Sequence, residues 1–155
     1  MNDKGLVIRV AEERHAETVA RFNTAMALET ESRELDRETA LAGVKNLLKN
    51  PQHGFYLIAE RAGETAGSLM ITGEWSDWRN GIFWWIQSVY IRPEFRRQGI
   101  YRRFYAHVKE LACERADVCG LRLYVEQENV SARRTYLALG MQEAHYRMFE
   151  QSLER

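Results

Sequence analysis

The chain has 155 residues, of which 45% are apolar and 28% charged, with 22 Lys plus Arg against 22 Asp plus Glu. That is enough for one domain over 1–155 burying roughly 70% of the surface its unfolded form exposes, and it excludes a disordered chain. Zero net charge excludes the basic body of a general nucleic-acid binder, and no apolar run approaches the roughly 20 residues of a membrane-spanning helix.

Leu6 to Val10 alternates as a short strand. Ala16, Val19, Ala20, Asn23, Met26 and Ala27 then share a helical face, and the helix is expected to end near Leu28. A carboxylate-rich stretch, Glu29 to Glu34, follows before Asp36, which offers an N-cap to a second helix burying Leu41, Val44, Leu47 and Leu48. Asn50-Pro51 stops that helix.

Phe55 to Glu60 reads as a strand, Arg61 to Glu64 as a turn, and Thr65 to about Trp75 as the next strand. Asn80-Gly81 is a strong turn signal and leads into an apolar, aromatic and β-branched run, Ile82 to Ile91. Three consecutive antiparallel strands are therefore expected. Pro93 ends the run, and after Gly99 the period changes: Tyr101, Phe104, Tyr105, Val108, Leu111 and Ala112 mark a helix expected to end near Asp117. Gly120 is read as opening a strand, Leu121 to Val125, that reaches the sheet by a crossover. Asn129 as N-cap and Gly140 as the residue past the C-cap bound a helix of about three turns, and a final strand is expected from Met141 to Phe149.

A strand, a Gly-bearing loop and a helix N-terminus together make a place for an anion, because the first turn leaves N–H groups unpartnered and its dipole favours negative charge. Gly99 lets the backbone approach closely, and Arg96, Arg97, Arg102 and Arg103 supply donors. A basic patch on a neutral protein suits a single phosphorylated ligand better than a long polyanion.

Arg96-Arg97-Gln98-Gly99-Ile100-Tyr101 resembles the R/Q-x-x-G-x-G/A pyrophosphate loop of the GNAT superfamily, the acetyl-CoA-dependent N-acetyltransferases, with Tyr101 in place of the small last residue. Asn129-x-x-Ala132-x-x-x-Tyr136-x-x-x-Gly140-Met141 resembles the family's N-x-x-A-x-x-x-Y-x-x-x-G-F segment, with Met for Phe. The resemblance covers nearly the whole chain. It implies an α/β (α+β) fold with a mixed, mostly antiparallel sheet, helices on both faces and the order β-α-α-β-β-β-α-β-α-β. It also implies a splay between the strand Ile82 to Ile91 and its crossover neighbour.

The activity implied is acyl transfer from acetyl-CoA, as cosubstrate, to a primary amine by direct attack in a ternary complex. The resemblance sets the pyrophosphate on Arg96, Arg97, Gln98, Gly99, Ile100 and Tyr101, the pantetheine along Val89, Tyr90 and Ile91, and Asn129 near the pantetheine arm. Tyr136 is the expected general acid for the departing thiolate, since a phenol with pKa near 10 stays protonated at neutral pH. Unpaired amides near Val89 and Ile91 are the expected donors to the thioester carbonyl. Gln87 cannot act as a base, which leaves carboxylates, acting directly or through water. Glu29 and Glu31 rank first, as base or acceptor-binding groups, because their segment resembles the family's acceptor-binding loop.

Glu74, Trp75, Asp77 and Trp85 are candidates for holding the acceptor. Trp75 and Trp78 near a polar hairpin tip either meet a cationic amine beside Glu74 and Asp77, stabilise the hairpin, or make a subunit contact in a homodimer. The acceptor is a small-molecule or peptide amine; nucleic acid and membrane are not expected partners. His15, His53, His107 and His145 lack ligand spacing, so no metal is expected, and Cys113 and Cys119 are read as interior thiols. The N-terminus lacks a signal-peptide pattern, so a cytoplasmic location is expected. Two competing readings remain. One is a non-catalytic acyl-CoA-binding regulatory module, motivated by Tyr101 and the missing base. The other is a nucleic-acid-binding domain using the arginine patch, which neutral charge disfavours. A P-loop kinase is weaker still, because the Gly99 loop lacks a GK[ST] ending.

Overall fold

A computed structural model describes residues 5–154. Its elements run β1 (Leu6–Val10), α1 (Ala16–Glu31), α2 (Arg37–Lys49), β2 (Gly54–Arg61), β3 (Glu64–Ser76), β4 (Gly81–Ile91), α3 (Ile100–Cys113), β5 (Val118–Arg122) and α4 (Val130–Ala138). The chain divides into two compact units between Leu123 and Tyr124, the first holding the sheet with α1 to α3 and the second holding α4.

The strands lie in the order β1-β2-β3-β4-β5, antiparallel as far as β4, with β4 and β5 parallel. A parallel neighbour needs a crossover, and α3 supplies it. Period-2 alternation then divides the side chains. Tyr56, Ile58 and Met70 meet Ala16, Val19 and Ala20 of α1 and Val44 of α2 on one face. The opposite face presents Leu57, Leu69 and Ile71, each at most 1% exposed, and Ile100, Phe104 and Val108 of α3 are as deeply buried.

Local chemistry accounts for most boundaries. Asp36 caps α2, its carboxylate accepting from the Thr39 N–H at 2.9 Å and the Thr39 hydroxyl at 2.7 Å. Gly140 takes φ 95° after α4, with its N–H donating to Leu137 O and that of Met141 to Tyr136 O, both at 3.1 Å, which is the Schellman closure.

Five expectations need correction. Helix α1 runs on to Glu31 and ends only where Ser32 turns left-handed at φ 49°, so Glu29 and Glu31 stand in its last turn and not in the following loop. Helix α3 stops at Cys113, short of Asp117, because Arg115 turns back to pair with Asp117 through two bonds of 2.9 and 2.6 Å and lies over the Trp84 ring. The strand β5 accordingly begins at Val118, with Asp117 O already accepting from Ile82 N at 2.7 Å, and Gly120 falls inside it. Residues 142–154 contain no regular secondary structure, so the final strand does not form. Alternation there chooses faces but supplies no ladder partner, and Tyr146, Met148 and Phe149 stay exposed. Cys113 and Cys119 are free and exposed rather than interior, one at the end of a helix and the other on an edge strand.

The Asp36 cap gives a pH test. Its two hydrogen bonds from Thr39, the backbone one first, hold the carboxyl below the usual range. A depressed folded-state pKa stabilises the fold fully above the unfolded value of about 3.9, and that stability is lost as pH falls through the folded value. Asp36→Ala should therefore lower the thermal midpoint at pH 7, and the gap from wild type should close on acidification below pH about 4 in a scanning calorimetry series.

Candidate functional site

The strand β4 positions everything in the first unit that bears on chemistry. Its ladder with β5 joins residues Ile82, Phe83, Trp84 and Trp85 to partners between Val118 and Arg122 and then stops, so residues 86–91 have no partner in β5. On its other side the register with β3 slips: Met70 faces Gln87 and Ser68 faces Tyr90, so that Ser88 and Val89 together oppose Leu69. This is a bulge, and Ser88 adopts φ 50° within it. Backbone N–H groups on such an unpaired, re-aimed segment are available to an incoming carbonyl.

The bulge also changes the parity of the strand. Phe83, Trp85 and Gln87 share the α1 face with Glu74, Thr72 and Met70 opposite them. Beyond the extra residue Tyr90 joins that face, where its ring lies 5.1 Å from the ring of Phe22 on α1. Burial, then the charge of Glu29, raises the Tyr90 phenol above its ordinary range.

After β4 a short turn, Pro93–Phe95, leads into the loop. Arg97 (φ 61°) and Gly99 (φ 78°) are both left-handed, and Gly99 occupies the N-cap of α3. No side chain caps the helix, and the Arg103 N–H donates to Gly99 O at 3.1 Å, so the backbone N–H groups of the first turn, from Ile100 onward, face out of the helix end. The loop is fastened at two points. Gln98 accepts from Arg61 at the end of β2, and its amide donates to Glu94 O at 3.1 Å. Ile100 is buried beneath, and Tyr101 is half-buried in the first turn of α3. This donor set fits a phosphate group.

Arg96 is held between β4 and α1. Its Nε donates to Ile91 O at 2.8 Å, its Nη2 donates to Glu29 at 2.8 Å, and its guanidinium lies 5.5 Å from the centre of the Tyr90 ring. The structure thus joins Glu29 to Arg96, two residues that the sequence assigns to different substrates. Glu31 is exposed at the end of α1.

Where the β4–β5 ladder ends, a second ion pair crosses the sheet. Arg122 on β5 reaches over the Phe83 ring, 3.7 Å from its centre, and donates to Glu74 on β3 at 2.6 Å. Trp85 Nε1 approaches the same carboxylate oxygen at 3.4 Å, and Gln87 donates to the Thr72 hydroxyl at 2.6 Å. Gly120 belongs to this arrangement: a Cβ there would stand 2.6 Å from the Phe83 ring. Glu74 and Trp85 therefore come together, whereas Trp75, pairing with Ile82, belongs to the opposite face and is 61% exposed. Asp77 is spent on the hairpin turn, where its side chain accepts from Trp78 N at 2.9 Å. Asn129 caps α4 of the second unit, accepting from Ala132 N at 3.1 Å, and Tyr136 stands on the same helix.

Sequence reasoning missed Arg122 and the Ser88–Val89 bulge. The signal for the first was Gly120, whose missing side chain makes room for the aromatic ring on which Arg122 lies; the bulge has no signal in a run as uniformly apolar as β4. Among the described residues no group of three His, Cys, Asp or Glu converges as for a metal ion, and no helix is long and apolar enough to cross a membrane.

A model of the acetyltransferase (GNAT) family matches residues 10–141, across the division between the two units. A solved structure of a possible acetyltransferase from Clostridium difficile 630 is 40% identical, covers 98% of this chain and 100% of its own, and superposes with a TM-score of 0.91. A predicted acetyltransferase from Clostridium acetobutylicum, solved with acetyl-CoA, shares the fold at 18% identity, with 94% and 96% of the two chains covered and a TM-score of 0.77. AAC(6')-Iy in complex with the bisubstrate analogue CoA-S-monomethyl-acetylneamine does so at 17% identity, with 97% and 99% covered and a TM-score of 0.75. No curated protein sequence matches the chain.

The left-handed Ser88 offers a direct check on the bulge. Ser88→Gly should leave the urea midpoint equal to or above that of wild type, whereas Ser88→Val, with a branched side chain at φ > 0, should cost about 1–3 kcal/mol at unchanged m-value. Equal loss from both substitutions would contradict the bulge geometry.

Proposed function

The chain belongs to the acetyltransferase (GNAT) family, and from that premise we propose that it is an N-acetyltransferase, a single domain over residues 1–155, moving the acetyl group of acetyl-CoA to the primary amine of a small-molecule or peptide acceptor. The observation that carries this reading is the uncapped, glycine-led N-terminus of α3 directly after a strand that has lost its neighbour. Acetyl-CoA, when bound, supplies an activated thioester. The N–H groups of Ile100, Tyr101 and Arg102, with Arg97 beside them, hold its pyrophosphate. The open edge of β4 around Val89 and Ile91 lines the pantetheine and donates to the thioester oxygen.

The acceptor amine enters on the α1 face of the sheet at the end of the β4–β5 ladder, beside Trp85, Gln87 and Glu74. A new C–N bond forms as the C–S bond breaks. The surplus amine proton leaves through water, and Tyr136 gives its hydroxyl proton to the departing sulfur. The role of Tyr136 rests on the Asn129 to Gly140 motif. Glu29 is engaged by Arg96 and Glu74 by Arg122, so neither carboxylate stands ready as the base; water carries the proton from the amine. The same reading sets the protein in the cytoplasm, and two copies pair through the hairpin bearing Trp75 and Trp78, the latter 87% exposed. A mass of one chain by sedimentation equilibrium removes that pairing.

Calorimetric titration with acetyl-CoA tests the cofactor. Wild type should bind, and Gly99→Glu, which forces a side chain and a negative charge onto a residue at φ 78°, should weaken binding by at least about tenfold with the fold intact. Wild type that is folded and does not bind overturns the transferase reading. For the acid, Tyr136→Phe should lower kcat about 10²-fold while leaving CoA affinity within about twofold. Unchanged kcat in a chemistry-limited assay removes Tyr136 from that role.

A further inference from the structure

We propose that Glu29 sets how strongly the phosphate loop holds its anionic cofactor by cancelling the charge of Arg96; this rests on the acetyl-CoA reading of that loop. Glu29 stands in the last turn of α1, where the helix dipole disfavours a carboxylate, and that turn contains no basic residue to offset it. Its compensating cation comes from a distant part of the chain. Arg96 is fixed for this purpose by its Nε bond to Ile91 O and by the Tyr90 ring beneath it, and it meets Glu29 with a charge-assisted bond of 2.8 Å. Arg96 lies three residues before Gly99, the N-cap of α3, so the pair is attached to the loop that leads into the helix terminus proposed to receive the phosphates.

A neutral pair at that place adds little net attraction for an anion, which favours release of the CoA product after each turnover. Removal of either charge leaves the other uncompensated next to the same ligand. The two single substitutions must therefore act in opposite directions. Were Glu29 merely a brace for the loop, both would weaken binding alike. Arg96→Gln also loses the bond to Ile91 O, so Glu29→Gln is the deciding variant.

The experiment is calorimetric titration of the full chain with CoA at low ionic strength, using wild type, Glu29→Gln, Arg96→Gln and the double variant. Both side chains are 42% exposed, so the variants are expected to fold, and equal thermal midpoints will check it. Glu29→Gln should tighten CoA binding about two- to fivefold, Arg96→Gln should weaken it by a similar factor, and the double variant should return to within about twofold of wild type. The differences should shrink in about 0.5 M salt, where screening reduces exposed electrostatics. Unchanged or weaker binding by Glu29→Gln, with wild type binding normally, overturns this proposal alone. Failure of folded wild type to bind CoA overturns the acetyl-CoA reading and this proposal with it.

Discussion

The pairing of β4 is the constraint on which the rest of the first unit depends. A strand in the interior of a sheet normally uses both edges, yet β4 keeps its partner in β5 only as far as Trp85 and slips against β3 at Ser88 and Val89. Each departure has a separate consequence. The lost ladder leaves backbone groups for another molecule to satisfy. The slip brings Tyr90 onto the face that Gln87 occupies, against Phe22 of α1, and so provides the ring over which Arg96 folds.

Two arginine–carboxylate pairs organise the charge around this strand. Arg96 with Glu29 joins the phosphate loop to α1, and Arg122 with Glu74 joins β5 to β3 across Phe83. Neither pair is buried, so neither contributes much to stability. Their effect is on what the site presents. Glu29 and Glu74, which by sequence alone are candidates to receive a cation, are already matched, and part of the basic patch between Arg92 and Arg103 is matched as well, Arg92 by Glu94 and Arg96 by Glu29. The proposed anion site would therefore depend on backbone N–H groups and the dipole of α3 more than on a crowd of free arginines.

That balance suits a group-transfer enzyme. A transferase must bind its donor and then release a product carrying the same phosphates, and under the proposed reading a loop in which Arg96 is already neutralised by Glu29 meets both demands. Phe83 and Trp85 form a half-apolar floor on the α1 face of β4, with Gln87 and Thr72 hydrogen-bonded beside it. Family membership fixes the class of reaction, and the fine structure of these two pairs is where this chain is individual.

Much of this was legible in the residues themselves. Asp36 and Gly140 announce helix ends because capping is a short-range matter of one side chain or one φ angle, and Gly99 announces the start of α3 for the same reason. Three consecutive antiparallel strands and a crossover follow from alternation, turn signals and the length of the connections, whereas the pairing of β1 with β2 does not. What the tertiary structure alone decided is everything that depends on two segments meeting. The end of α3 at Cys113 follows from Arg115 finding Asp117 and Trp84, and the absent last strand from the want of a ladder partner. The bulge at Ser88, the reach of Arg122 to Glu74 and the joining of Glu29 to Arg96 belong to the same class. Local rules act over a few residues and can be read in order along the chain. Register and ion pairing are settled between residues as far apart as Glu29 and Arg96, by a competition among partners that no single segment contains.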